Sequence, residues 1–130
     1  MERAVGDLMW VLDYQLRVAT RYLRVVSVVM AASSDREVRI EEALRGSSRG
    51  SDAFFELGDG AVIVMAETGL AQAFSAVERY KKHYDGEIDV RYAAGAFPND
   101  GNSAAKLLST LRCRLERARA LGPGAVVSAD

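Results

Sequence analysis

Arg49-Gly50-Ser51-Asp52 sets a guanidinium and a carboxylate three residues apart, in a run of glycine, serine and arginine over 46–51 that reads as a loop. A guanidinium fork recognises phosphate and carboxylate through paired N–H donors, and a carboxylate beside it accepts in return. A loop just ahead of a strand presents such groups to solvent. A second cluster, Arg112, Arg114, Arg117 and Arg119, crowds the last predicted helix. Cations there complement the negative end of the helix dipole, and could also meet phosphate or an acidic partner. With 14 arginines and 9 aspartates in 130 residues, one Arg-x-x-Asp arises by chance, so only its position gives the first motif meaning.

Other chemistry finds little support. One cysteine, Cys113, excludes an internal disulfide, and one histidine, His83, excludes a histidine-rich metal site. A thiol nucleophile needs a base, and His83 falls on a different predicted helix from Cys113. No Ser-His-Asp set, Walker loop, G-x-G-x-x-G or Cys-x-x-Cys is present, and Glu41-Glu42 and Asp85/Glu87/Asp89 read as solvated charges. The sequence is therefore expected to hold no catalytic residue, no metal and no cofactor. A net charge of −1 and a pI near 5.9 give no general attraction to nucleic acid or anionic lipid. The apolar run Val25 to Ala32 falls far short of the ~20 residues that cross a bilayer. No secretion signal is visible, so the expectation is a cytoplasmic chain without nucleic-acid or membrane partners.

The elements that must position these groups follow from periodicity. Val5, Leu8, Met9, Leu12, Leu16 and Ala19 form one apolar stripe of a helix over 4–22. Trp10, Val11, Tyr14 and Val18 form a second stripe beside it, which marks a candidate surface for self-association or a protein partner. Leu23 to Ala31 is β-branched and apolar without alternation, as a strand buried on both faces should be. Ser34-x-x-Glu37 is a capping box that predicts a short helix to about Leu44. Ala53–Leu57 and Ala61–Ala66 read as strands joined by Gly58-Asp59-Gly60, a hairpin turn. A helix over 70–84 carries Leu70, Ala73, Phe74, Val77 and Tyr80 in register; a strand over 87–97 ends at the turn Pro98-Asn99-Asp100-Gly101. A helix from about Ser103 to Leu121 buries Leu107, Leu108, Leu111, Leu115 and Ala118 and stops at Gly122-Pro123-Gly124, and Ala125–Ser128 adds a short edge strand. The order predicts an α/β (α+β) fold: a single domain over 1–130, an N-terminal helix followed by a ferredoxin-like βαββαβ core from about residue 23, with a mostly antiparallel sheet.

From Val18 onward the sequence resembles the GGDEF (diguanylate cyclase) family. The resemblance lies in LRVATRYLRVVSVVM, RGSDAFFELGDGAVIVMAET, TGLAQAFSAVER and AAGAFPNDGNSAAKLLSTLRCRLERARALGPG, taken in order and at the family's spacing. It implies the nucleotide-cyclase-like fold. It also implies where a cyclase holds Mg²⁺ against GTP: on two aspartates at the end of the first strand and on acids in the signature hairpin. Those positions fall on Ala32, Ser34, Gly60 and Ala61, while Asp35 and Asp59 lie one position off, a slip that turns a strand residue to the other face. About 18 residues separate Ser33 from Ser51, too few for the family's substrate helix, and the D-x-L-T-G-L-x-N-R segment is missing. The expectation is a degenerate domain without cyclase activity. The family's product-binding site, an R-x-x-D motif ahead of the hairpin with an arginine on the next helix, is matched by Arg49, Asp52 and Arg79. The resemblance thus implies a cyclic di-GMP receptor. The alternative is a ligand-free interaction or dimerisation module using the N-terminal helix.

Overall fold

The computed structural model describes residues 2–33, 53–57, 60–83, 90–122 and 124–129. The loop over 46–51, the capping-box helix after Ser34 and the turn residues Gly58-Asp59 lie outside them.

Helix α1 spans Glu2–Tyr22 and buries Leu8, Leu12, Leu16 and Ala19 at helical spacing. It ends where the sequence suggests that a strand begins. Leu23 takes a left-handed φ of 54° and is 95% exposed, and the Arg24 N–H donates to the Ala19 carbonyl at 2.8 Å. This is the six-to-one closure of a Schellman ending, which satisfies a carbonyl that the helix itself leaves open. The strand therefore starts later than its hydrophobicity suggests, because Leu23 serves as the cap.

Strand β1, Val26–Ser33, is buried at every residue. It lies between β3, Gly60–Ala66, and β4, Val90–Phe97, antiparallel to both, so that Val29 faces Ile63 on one side and Ala94 on the other. Strand β2, Ala53–Leu57, pairs outside β3, and β5, Val126–Val127, runs parallel to β4, giving the sheet order β2-β3-β1-β4-β5. Helix α2, Leu70–His83, crosses from β3 to β4 over the strand between them, the split β-α-β arrangement expected from the element order.

Alternate residues of β1 enter two cores. Val26, Val28 and Met30 pack with Val62, Val64 and Ala93 under α1 and under α3, Ala104–Leu121, which contributes Leu107, Leu108 and Leu111. Val29 and Ala31 pack with Ile63, Met65, Tyr92 and Ala94 under α2. There the buried set is Ala73, Ala76, Val77 and Tyr80, whereas Phe74 is exposed: α2 is rotated so that small alanines, not the phenylalanine, meet the sheet. Leu115 is only partly covered.

The arginine-rich last helix does not present all of its cations to solvent. Arg114 is 3% exposed. Its Nη2 donates to Asp100 Oδ1 at 2.7 Å and its Nη1 to the Ala94 carbonyl at 2.9 Å, while the Ala96 N–H donates to Asp100 Oδ2 at 2.8 Å. Gly95 makes room, since a Cβ there would stand 3.2 Å from both Arg114 Nη1 and Leu111 Cδ2. The pair ties α3 to β4 and to the turn between them. Arg119 is exposed and meets Glu116 at 2.8 Å, and Arg117 reaches the Ala129 carbonyl at 3.1 Å.

Burial alone raises the pKa of the Asp100 carboxyl. The hydrogen bond from Arg114, the Ala96 N–H and the Arg114 charge outweigh it, and hold the pKa below the ordinary 3.8. The stabilisation is then present above about pH 4 and is lost as pH falls through the depressed value. Asp100→Asn, which removes the negative charge facing the buried Arg114 guanidinium, should cost about 3 kcal/mol in denaturant unfolding at neutral pH. Its stability should also fall less steeply than the parent's between about pH 5 and about pH 3. Gly60 supplies a second test. A Cβ there would lie 2.2 Å from the Ala31 carbonyl oxygen, so Gly60→Ala should force β3 off β1 and lose about 1–3 kcal/mol.

Candidate functional site

The C-terminal end of β1 is where the neighbouring strands bring the most chemistry together. Ala32 stands in register between Gly60 on β3 and Arg91 on β4, and Ser33 stands opposite Val90. Directly opposed residues of an antiparallel pair share a face, so the Arg91 guanidinium rises on the same side of the sheet as Ala32. It donates from Nη1 to the Arg119 carbonyl at the end of α3. Cations suit a helix C-terminus, where carbonyls lack intrahelical donors. Two arginine residues thus meet beside the end of β1. Arg91 carried no motif, and only its place opposite Ala32 identifies it.

Ala61, next to Gly60, turns to the opposite face and is buried beneath α2. Ser34, Asp35 and Asp59 lie outside the described residues. Among the described residues, no group of three histidines, cysteines, aspartates or glutamates could hold a metal ion.

Of the three residues expected to bind a nucleotide, Arg49 and Asp52 lie outside the described residues. Arg79 is described and exposed on α2. Its neighbours fix its position: Ala76, Val77 and Tyr80 bury the inner side of the helix, and Glu78 pairs with Lys81 at 3.9 Å. The start of α2 is anchored as well. Ser27, fully buried in β1, donates to the Thr68 carbonyl at 2.7 Å, Thr68 Oγ1 donates to the Ala66 carbonyl at 2.9 Å, and the Gly69 N–H donates to Gln72 Oε1 at 3.0 Å. A serine in an apolar strand is the signal that could have revealed this tether, since a buried hydroxyl requires a partner.

The other candidate surface is the outer face of α1. Trp10 is 67% exposed and Tyr14 50% exposed, and their rings stack with centroids 5.9 Å apart and planes 5° from parallel. Val11 and Val18, the rest of the expected stripe, are half-buried on its flank. A groove of about 490 Å³ runs beside the aromatic pair, between α1 and the β4–α3 turn, lined in part by Trp10, Arg17, Arg21, Phe97 and Asn102. Cys113 is exposed. No helix among the described residues is long and apolar enough to cross a membrane.

No protein-family model matches the sequence, and neither does any curated protein. Solved structures do match. The GGDEF domain of the YfiN (TpbB) protein of Pseudomonas aeruginosa superposes with a TM-score of 0.87 at 18% identity, over 96% of this chain and 88% of that one. The active GGEEF domain of a diguanylate cyclase from Vibrio cholerae gives 0.85 at 11% identity, over 96% of each chain. A microbial GGDEF domain described in a novel interaction mode with bis-(3′,5′)-cyclic di-GMP gives 0.80 at 15% identity, over 98% of this chain and 92% of that one. With its β2-β3-β1-β4-β5 sheet and N-terminal helix, the chain has the nucleotide-cyclase-like fold of GGDEF diguanylate cyclase domains.

Proposed function

We propose that this chain is a regulatory domain that has kept the GGDEF fold without the cyclase chemistry, and that it binds cyclic di-GMP. The observation that carries the first half is the alignment of Ala32, Gly60 and Arg91 at the end of β1. Phosphoryl transfer from a nucleoside triphosphate needs clustered carboxylates to hold divalent metal against the phosphates. At this place the described residues give a methyl group, a glycine whose position leaves no room for a side chain, and a guanidinium that repels a cation. This donor set does not fit magnesium. No step through a metal is assigned to it.

Support for binding comes from Arg79, held on the exposed side of a well-anchored helix, and from the position of Arg49 and Asp52 ahead of the β2–β3 hairpin in the sequence. Guanidinium forks donate to the O6/N7 edge of guanine or to a phosphate, and a carboxylate accepts from guanine N1–H and N2–H. The microbial GGDEF domain of similar fold that interacts with cyclic di-GMP is consistent with such a ligand.

A second reading rests on a separate observation, the solvent-facing stack of Trp10 and Tyr14. Exposed paired aromatics on a helix are characteristic of the centre of a protein interface. The outer face of α1, with Val11 and Val18 at its flank, is then an interaction surface for a partner or for another copy.

Each reading has its own assay. At ~100 times its Kd, cyclic di-GMP should stabilise the domain by about 2.7 kcal/mol, seen as a rise in Tm. Arg79→Ala and Arg49→Ala should each weaken binding about tenfold by calorimetry, a loss of ~1.4 kcal/mol. Incubation with GTP and Mg²⁺ should give no cyclic dinucleotide; product formation would sink the first reading. For the interaction surface, sedimentation should show a mass that rises with concentration and returns to the monomer in Tyr14→Asp.

A further inference from the structure

The outer face of α1 carries its charges in a polar order. Asp7, Trp10, Tyr14, Arg17 and Arg21 succeed one another at intervals of three or four residues, all exposed, and so form a single stripe. The stripe lies on the side of the helix away from Leu8, Leu12, Leu16 and Ala19, which face the sheet. Asp13 and Val18 flank it on either side. Among the described side chains, the acids Asp7 and Asp13 lie toward the N-terminus and the bases Arg17 and Arg21 toward the C-terminus.

We propose that this stripe pairs with the same stripe of a second copy of the chain, the two α1 helices running antiparallel about a two-fold axis near Tyr14. The inference rests on the second reading above, that the face is an interaction surface, and adds both the occupant and its direction. With Tyr14 at the axis, Asp7 of one copy comes opposite Arg21 of the other, and Asp13 comes within two residues of Arg17, about 3 Å along the helices. Symmetry repeats both contacts, so four opposite-charge pairs ring an aromatic centre. Trp10 falls opposite Val18, apolar against apolar. Arg3 falls opposite Val25, past the end of the helix. A surface complementary to itself in this way is what an isologous dimer requires.

Charge also selects the direction. A parallel pairing in register would set Asp7 against Asp7, Asp13 against Asp13, Arg17 against Arg17 and Arg21 against Arg21, and like charges placed across an interface work against it. The groove beside α1 continues the same surface, because Trp10, Arg17 and Arg21 line both. A helix laid along the stripe therefore meets a concave flank as well as a convex ridge.

The test measures both mass and direction. Gly6 is exposed, and a Cβ there meets nothing within 4 Å, so Gly6→Cys in a Cys113→Ser background places one spin label per chain at the edge of the stripe, with the labelled dimer's dissociation constant checked against the unlabelled one. With the axis at Tyr14, the two labels stand about 16 residues apart along the helices, or roughly 25 Å at 1.5 Å per residue. A parallel pair places them within about 15 Å, since packed helices lie 8–10 Å apart. The expected result is a dimer in sedimentation equilibrium with the long label separation. Reversing one charge, Arg21→Glu, should raise the dimer dissociation constant at least tenfold, and adding Asp7→Arg to it should restore most of the affinity. A dimer lost in Tyr14→Asp but with the short separation overturns the antiparallel arrangement and leaves the interaction surface standing. A chain that stays monomeric at every concentration overturns both.

Discussion

Strand β1 lies at the centre of the sheet and is buried along its whole length. A strand in that position needs an apolar layer over each face and a hydrogen-bonded neighbour along each edge. The four requirements are met by α1 and α3 above, α2 below, and β3 and β4 at the sides. Its one hydroxyl-bearing residue in the middle of an apolar run, Ser27, does not interrupt this arrangement, because its proton goes to the Thr68 carbonyl and so fastens the start of α2 to the sheet. The positions of Arg79 on α2 and Arg91 on β4 follow from this layering: both are set by the way their elements cover or flank the same strand.

Much of this was legible in the residues. The stretch from Val26 to Ala32, β-branched and without alternation, can only be a two-sided strand, and the i, i+4 spacing of Leu8, Leu12 and Leu16 names the buried side of α1. The failures are equally specific. Leu23 looks like strand because hydrophobicity counts residue type and not backbone angle, yet the chain needs a left-handed cap there. Phe74 looks like core because it is in helical register, but α2 is rotated so that Ala73, Ala76, Val77 and Tyr80 meet the sheet and Phe74 turns outward. Arg114 looks like one cation among four, and nothing in its own segment distinguishes it. Its partner Asp100 is 14 residues away, in a turn whose sequence already had a sufficient local explanation.

The candidate site was legible only as a pattern of substitutions. Ala32 and Gly60 could be located by resemblance, but Arg91 could not, since no motif contains it and its relevance depends on strand register. Register is a tertiary property: it is fixed by which side chains must enter which core, and a shift of one residue would have turned Arg91 toward α2.

Ala93 and Gly95 of β4 face α3 and let it lie close to the sheet, and the small residues of this strand carry almost no rotamer freedom to lose on folding. Helix α3 is gripped just past its middle, where Arg114 meets Asp100 of the β4–α3 turn and the Ala94 carbonyl, and near its end by Arg91 acting on the Arg119 carbonyl. A helix tied to the same strand at two points along its C-terminal half resists sliding along it. These ties link the β4–α3 turn, where the groove beside α1 opens, through one helix to Arg91, which stands opposite Ala32 at the other end of β4.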